Sequence, residues 1–295
     1  MKTRVSAMLQ LMASMFIFGS IGLFVRNIPL PSSIVAFARA LIGVLFLLMV
    51  MLCRKTGLSI DAVKKNWVWL LLSGSAIGFN WILLFEAYRY TSVAVATLCY
   101  YMAPIIVTLL APVLLKEKLT AKRLVCVLVA LLGMAMISGV FNSNSLTAGA
   151  GKGILFGFGA AVLYASVILM NKQLRDIGST DRTVCQLLVS AVVLLPYNLL
   201  TCDIRSLSAT PVALVLLVTV GIIHTGLAYY MYFGAMSHLS GQSIAIASYI
   251  DPVIAVLISI AVLQEPFDGL TVLGAAAILG AAVASELPQR ERSKT

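Results

Sequence analysis

The chain has 295 residues, of which 61% are hydrophobic and only 11% charged, and its mean hydropathy is +1.02. A soluble domain holds about 45–50% apolar and about 25% charged residues, so this composition excludes an ordinary water-soluble protein and indicates a chain surrounded by lipid. The net charge of +10 does not predict a nucleic-acid partner, because the basic residues lie in short loops between long apolar runs, as membrane insertion requires.

Ten apolar runs follow one another along the chain. Each is close to the length of about 20 residues that a helix needs to cross a hydrocarbon core about 30 Å thick. We predict spans at 6–26, 32–52, 66–88, 92–115, 121–139, 153–171, 183–201, 211–235, 240–263 and 269–286. The predicted organisation is a first five-helix repeat at 1–140, a linker at 141–152, a second five-helix repeat at 153–288 and a tail at 289–295.

The distribution of lysine and arginine predicts how the chain is inserted. Sixteen of the 21 basic residues fall on the side of the N-terminus, four fall on the opposite side, and Arg39 lies within a span. Because positively charged loops stay on the cytoplasmic side, we predict a multi-pass protein of the cell membrane with both termini in the cytoplasm.

A short pattern occurs in the fourth span and again 148 residues later in the ninth, as Tyr101-Met102-Ala103-Pro104 and Tyr249-Ile250-Asp251-Pro252. A weaker match aligns Phe18-Gly19-Ser20 with Tyr164-Ala165-Ser166. Since each half has five spans, an odd number, the second half enters the membrane upside down relative to the first. The predicted fold class is an all-α integral membrane protein with ten transmembrane helices, arranged as two inverted five-helix repeats around a central cavity.

Both copies of the pattern place a proline midway along a span, at Pro104 and Pro252. A proline inside a helix removes one backbone hydrogen bond and clashes with the preceding turn. Two interrupted helices at matching positions of a duplicated membrane protein point to a transport site. We therefore predict that these prolines are hinges beside such a site; a pair of packing kinks is the alternative.

Three further features carry a resemblance to a known family. Arg39 opens the second span within Phe37-Ala38-Arg39-Ala40-Leu41, and the fourth span ends in Leu115-Lys116-Glu117-Lys118-Leu119-Thr120, followed by Leu132-Gly133 in the fifth. With the ten spans and the repeated proline pattern, the chain resembles an EamA-type member of the drug/metabolite transporter superfamily. The second copy departs from the pattern at Gln264-Glu265-Pro266-Phe267.

The resemblance implies a secondary transporter or exporter of small organic metabolites. It also implies a central cavity lined by spans from both halves, with the fifth and tenth spans at the periphery. It does not identify the substrate, and export as the direction of transport rests on the resemblance alone.

Ionisable side chains within a span are costly and are therefore candidates for function. Asp251 lies at the middle of the ninth span, His224 near the middle of the eighth and Arg39 about seven residues into the second. Asp251 could exchange a proton for substrate and His224 could relay it, although His224 could instead bond a neighbouring helix. Arg39 could bind a substrate carboxylate, or it could pair with Asp251 or Glu86, since a buried charge needs a partner.

Helical spacing and the repeat place several polar side chains at comparable depth. Ser248 lies three residues from Asp251 on the same helical face, and Tyr100 is its counterpart in the first half. Asn80 corresponds to a position one turn from His224. The predicted substrate-binding residues are Asn80, Tyr100, His224, Ser248, Asp251 and Arg39, and the further predicted lining consists of Trp81, Phe85, Tyr101, Tyr164, Tyr229, Gln242 and Tyr249.

The predicted function is secondary transport of small metabolites such as amino acids or their derivatives, by alternating access. Proton-coupled export of cationic drugs or amines is the alternative, since Asp251 and aromatic faces suit a cation. A channel would need rings of like charges or carbonyl filters, and an intramembrane enzyme is not predicted because the sequence holds no H-E-x-x-H or G-x-S-x-G motif.

The remaining expectations concern partners and bound groups. The five cysteines are scattered and form no C-x-x-C pair, so neither a metal nor another cofactor is predicted. The expected partners are the lipid bilayer and a small-molecule metabolite. Small residues between Gly274 and Ala284 allow close approach of helices, which suggests a homodimer through the tenth span.

Overall fold

The computed structural model describes residues 2–25, 27–91, 93–137, 150–203, 208–263 and 269–287, and the regular structure in these ranges is helical. Residues 138–149, which include most of the predicted linker, residues 264–268 of the second repeated pattern and the tail from residue 288 lie outside the described residues.

The ten predicted spans are present as helical segments in the described ranges. The first half contains α1 (Lys2–Val25), α2 (Ser32–Cys53), α3 (Ile60–Tyr90), α4 (Val93–Tyr100), α5 (Ala103–Leu114) and α6 (Ala121–Ile137). The second half contains α7 (Ala150–Asn171), α8 (Ser179–Thr201), α9 (Pro211–Thr219), a π-helical segment (Val220–Leu227), α10 (Ala228–Met236), α11 (Gly241–Ala247), α12 (Ile250–Leu263) and α13 (Gly269–Glu286). Within the described ranges, seven helices are long and apolar enough to cross a bilayer by themselves.

The fourth and ninth spans are each interrupted in the middle. The fourth consists of α4 and α5, separated at residues 101–102, and the ninth consists of α11 and α12, separated at residues 248–249. Pro104 and Pro252 lie in the first turns that follow, where a proline is tolerated because its missing N–H has no partner there in any helix. The predicted interruptions are confirmed, and their movement as hinges stays a prediction.

The third span begins earlier than the sequence pattern predicts. Hydropathy places its start at residue 66, whereas α3 begins at Ile60. The first turn carries Asp61, and an acidic side chain there is favourable because it faces the positive end of the helix dipole. The helix therefore continues beyond the apolar stretch, and its extension carries the exposed side chain of Lys65.

Most packing in the molecule joins a helix of one half to a helix of the other. The first span packs on α10 and α12, and α7, which opens the second half, packs correspondingly on α3 and on both parts of the fourth span. The second span packs on α8 and on the π segment. Its counterpart in the second half, α8, packs in the same way on α2 and α3. Exchanging the halves therefore maps the contact pattern onto itself, as a duplicated and inverted fold requires.

The fifth and tenth spans, α6 and α13, pack mainly on each other at the periphery, as the resemblance implies. Their approach is close because Gly133 faces Gly274: a Cβ atom on Gly133 would lie 2.6 Å from the Gly274 carbonyl oxygen. Leu132 and Val283 on these helices are 63% and 64% exposed and face the lipid. Some of the small residues of the tenth span thus pack against the fifth span of the same chain.

Candidate functional site

A cavity of about 280 Å³ lies between the two halves, where the fourth and ninth spans are interrupted. Its volume is close to the lower end of the range of about 300–1,000 Å³ that is typical of small-molecule sites. Eight of the fourteen residues that line it are aromatic. The lining consists of Phe18, Ile21, Arg39, Trp81, Leu84, Phe85, Thr97, Tyr100, Tyr101, Tyr164, Tyr229, Tyr232, Ser248 and Asp251.

The lining follows the symmetry of the repeat. Trp81 and Tyr229 are 148 residues apart, as are Leu84 and Tyr232, and Tyr100 and Ser248. Each pair contributes one residue from the first half and one from the second to the same cavity. The site therefore lies where the two halves meet.

Asp251 contributes the carboxyl group of the cavity. It lies in the first turn of α12, immediately before Pro252 and two residues after the interruption. The Tyr101 hydroxyl, from the equivalent interruption in the first half, is placed to donate a hydrogen bond to this carboxyl. The two interruptions thus lie next to each other at the cavity.

Arg39 contributes the positive charge. Its guanidinium carbon lies 4.1 Å from the centroid of the Trp81 ring, a cation–π contact that holds the planar group in one orientation. Its Nε is buried and has no hydrogen-bond partner among the described residues, and none of their carboxylates lies within the 4.0 Å of an ion pair. A buried donor without a partner is costly. Because this Nε is closed off from the cavity, Arg39 lines the cavity through the rest of its side chain.

Neither of the two carboxylates that could pair with Arg39, those of Glu86 and Asp251, forms an ion pair with it. Glu86 forms an ion pair with Arg89 at 3.0 Å and accepts a hydrogen bond from the Tyr197 hydroxyl at 2.5 Å. This ion pair lies at the end of α3. Asp251 shares the cavity with Arg39 without forming an ion pair with it.

Aromatic rings form the walls of the cavity. Tyr100 and Tyr164 are stacked, with ring centroids 5.4 Å apart and an interplanar angle of 20°. The edge of Phe18 packs on Tyr229 at 5.0 Å. The Tyr164 hydroxyl lies 2.9 Å from that of Tyr232 and 3.2 Å from Ser248 Oγ. This chain of hydroxyl groups fixes the rings of the second half beside Asp251.

Four of the six predicted substrate-binding residues line the cavity: Arg39, Tyr100, Ser248 and Asp251. Of the further predicted lining, Trp81, Phe85, Tyr101, Tyr164 and Tyr229 are also present. Among the lining residues that the sequence reasoning missed, Phe18 had a usable signal, because it aligns with Tyr164 in the repeat. Leu84, Thr97 and Tyr232 lie one turn from predicted residues on the same helices, whereas Ile21 lies on α1, for which no lining residue is predicted.

The structure does not bring Asn80 and His224 to the cavity. Asn80 Nδ2 donates a hydrogen bond to the Ala160 carbonyl at 2.6 Å and so joins α3 to α7. His224 Nε2 lies 3.0 Å from Ser20 Oγ and its ring packs on Phe24 at 4.6 Å, which joins the π segment to α1. Placing His224 by a period of 3.6 residues fails because i→i+5 bonding alters the direction of side chains.

Gln242 and Tyr249 also lie outside the lining. Gln242 Oε1 accepts a hydrogen bond from Arg123 at 3.0 Å, and the Tyr249 hydroxyl donates to the Tyr101 carbonyl at 2.7 Å. The Tyr249 contact supplies a partner to a carbonyl group at the interruption of the fourth span. Both side chains therefore connect the halves without reaching the cavity.

Comparison with known proteins places this architecture in a family. The EamA-like transporter family matches residues 5–139 and again residues 151–285. The chain is 32% identical over 257 residues to an uncharacterized transporter, YxxF, of Bacillus subtilis (strain 168), covering 87% of this chain and 82% of that protein. It is 27% identical over 223 residues to Protein PecM of Dickeya dadantii (strain 3937), covering 74% and 73% of the two chains.

A protein of known crystal structure shares the fold, with a TM-score of 0.85 at 18% identity, covering 95% of this chain and 97% of that one. The two family matches cover both predicted halves and agree with the duplicated helix packing. The resemblance seen in the sequence motifs is confirmed, and the chain is a multi-pass membrane protein that belongs to the EamA-like transporter family.

Proposed function

We propose that the protein is a secondary transporter that exports small organic metabolites, such as amino acids or their derivatives, by alternating access. One observation carries the proposal: an arginine and a carboxyl group, with no ion pair between them, line the same aromatic cavity at the helix interruptions. A solute with one anionic and one cationic group matches this pair of charges. The membership of a transporter family supports translocation as the use of the site.

In the proposed complex, the solute carboxylate accepts hydrogen bonds from Arg39 and its ammonium group faces Asp251. The Trp81 ring packs against the guanidinium and limits its movement. The remaining aromatic rings provide apolar walls for the side chain of the solute. Loss of either charge should weaken binding of a zwitterion.

Alternating access requires two conformations of similar energy that open the cavity to opposite faces. The inverted halves supply the symmetry that relates two such conformations. The interruptions before Pro104 and Pro252 lie at the cavity, where a change of backbone angle would move the ends of the fourth and ninth spans. We propose these two prolines as the hinges.

Proton coupling is proposed for Asp251, because a charged carboxyl inside a membrane protein is stabilised by binding a cation or a proton. Exchange of the solute ammonium for a proton at Asp251 would link the two fluxes. A relay by His224 would have to pass through its contact with Ser20, because His224 does not line the cavity.

Export of cationic drugs or amines is the second candidate, and the eight aromatic rings around one carboxyl group favour it. In that case Arg39 serves only to pack on Trp81. The two candidates differ in one measurable respect, because only a solute with a carboxylate should depend on Arg39.

The proposed setting is the cell membrane with both termini in the cytoplasm, which is supported by the strong bias of basic residues toward the face of the N-terminus. The two halves are proposed as residues 1–140 and 153–288. A homodimer through the tenth span remains a proposal, and Gly280, around which a Cβ atom would meet nothing within 4 Å, is the place where a second copy could approach.

The test is a binding screen of purified protein in detergent against amino acids, amines and purines, read by thermal shift and then by calorimetry. For a zwitterionic ligand, we expect Arg39→Gln and Asp251→Asn each to weaken binding by at least about tenfold, or about 1.4 kcal/mol. Arg175→Gln and Asp176→Asn are matched controls, since these charges are exposed on a loop. Binding that is unchanged in Arg39→Gln but lost in Asp251→Asn would support the amine alternative.

Transport itself is tested in proteoliposomes loaded with the ligand found in this screen. Saturable flux with counterflow is expected of a carrier, whereas an ohmic current would show a channel. Turnover of the ligand in detergent without a gradient would show an enzyme.

A further inference from the structure

The interrupted spans are joined at one face of the molecule, which we call the N-terminal face because α1 begins there. The Glu117 side chain follows the end of α5 in the first half. Its Oε1 accepts a hydrogen bond from the backbone N–H of Gly241 at 2.6 Å, and its Oε2 accepts from that of Gln242 at 3.3 Å. Both donors belong to α11 in the second half, so one carboxylate ties the fourth span to the ninth.

Two further bonds join the halves at the same place. Arg123, at the start of α6, donates to the Gln242 side chain at 3.0 Å. Gln173, just after α7, donates to the carbonyl oxygen of Leu114 at 3.2 Å. The end of α5 is therefore held from two directions, by α11 and by the loop after α7.

An apolar contact lies directly beneath this carboxylate. A Cβ atom on Gly241 would lie 2.8 Å from Leu115 Cδ1 and 3.7 Å from Val107 Cγ1, so the two spans touch with no space between them. Val107 is completely buried. Gly241 precedes Ser248 of the cavity by seven residues, or about 10 Å of helix. The contact therefore separates the cavity from the N-terminal face.

We propose that Glu117 is a gate residue for transport, whose carboxylate latches the fourth span to the ninth and keeps the cavity closed to the N-terminal face. This proposal rests on the alternating-access function, because a passage between α5 and α11 has to break these bonds. Hydrogen bonds from backbone N–H groups to a carboxylate are stronger than neutral ones. The interaction therefore favours the closed arrangement, and opening toward the N-terminal face has to break it.

The test measures access to a buried reporter from each face and needs no substrate. In a chain whose native cysteines are replaced, Val107→Cys is reacted with a membrane-impermeant maleimide in vesicles of both orientations. We expect Glu117→Gln to raise the labelling rate from the N-terminal face by about tenfold, the effect of removing about 1.4 kcal/mol from the closed state. Labelling from the opposite face should fall or stay constant.

Asp176→Asn is the matched control, because Asp176 also joins the halves at the N-terminal face, through Lys65 at 2.7 Å, but both side chains are largely exposed. Its labelling rate should equal that of the parent. Gly241→Ala is a second variant that leaves every charge in place and adds a methyl group against Leu115 Cδ1 in the contact between α5 and α11. It should raise labelling from the same face as Glu117→Gln.

A labelling rate within twofold of the parent in a folded Glu117→Gln protein would overturn the gate, and Gly241→Ala decides the question if Glu117→Gln does not fold. Failure of the proposed function looks different. If only the proposed function is wrong, Arg39 and Asp251 bind no solute but the labelling rate of Glu117→Gln still rises. If only the gate is wrong, Arg39 and Asp251 bind the solute as proposed but the labelling rate of Glu117→Gln is unchanged.

Discussion

Replacement of Gly19 by alanine should separate the first span from the site. A Cβ atom on Gly19 would lie 2.6 Å from the backbone oxygen of Asp251 and 2.7 Å from Ile254 Cβ. Ordinary contacts of a Cβ atom begin near 3.4 Å, so α1 or α12 has to move by most of an ångström. Forced expansion of a packed contact costs about 1–3 kcal/mol.

Gly22 provides the matched control on the same helix, because a Cβ atom there would meet nothing within 4 Å. Both substitutions gain the higher helix propensity of alanine, which is about 0.5–1 kcal/mol relative to glycine. The difference in stability between Gly19→Ala and Gly22→Ala therefore isolates the cost of the contact, and we expect it to be about 1–3 kcal/mol.

The measurement is thermal unfolding of the two purified variants in the same detergent. A difference of 1 kcal/mol corresponds to roughly 2–4 °C in a domain of about 150–250 residues, so Gly19→Ala should melt several degrees below Gly22→Ala. Solute affinity should fall as well, because the atom displaced is the backbone oxygen of Asp251. Equal melting temperatures for the two variants would refute the close approach of α1 to α12.

Two further predictions concern the N-terminal face. Lys172→Met should lower stability by about 2 kcal/mol, because Lys172 Nζ donates to the carbonyls of Met236 and Leu239 at 2.9 and 2.5 Å. Lys65→Met should lower stability by much less, because the Lys65–Asp176 pair is exposed. Denaturation with SDS compares the two variants. The hydrogen bond from Lys65 lowers the pKa of Asp176, so the pair adds stability above the ordinary pKa of this carboxyl and loses it as the pH falls through the lowered value. Because the pair is exposed, this loss of stability should be small, and it should be smaller still in high salt. Thermal unfolding between about pH 5 and about pH 3 measures the loss, which should be absent in Asp176→Asn.

The number of spans and the position of their interruptions could be predicted because each depends on a strong local signal. Long apolar runs are required by the thickness of the bilayer, and Pro104 and Pro252 cannot lie inside a helix without removing a backbone hydrogen bond, so they favour a break just before them. The start of α3 could not be predicted from hydropathy, since the helix continues from the membrane into water at Ile60. The ends of helices outside the lipid depend on capping and on contacts with other loops.

The charged residues that line the cavity could also be predicted from the sequence. The neutral polar residues could be predicted only in part. Arg39 and Asp251 were found because a charge inside a span is costly and is seldom placed there without a use. Asn80 and His224 are equally polar, but they use their hydrogen bonds to join helices, and nothing in the sequence distinguishes the two uses. The π-helical segment around His224 has no periodic signature in the sequence and changes which residues share a face.

The pairing of helices across the two halves has a consequence for how such a chain can arise. In the described structure, α3, α7 and α8 bury their faces against the other half more than against their own. A polypeptide with only five of these spans would leave those faces without partners in the bilayer. It would need a second copy of itself, threaded through the membrane in the opposite sense, and fusion of two such copies would preserve the same set of contacts within one molecule.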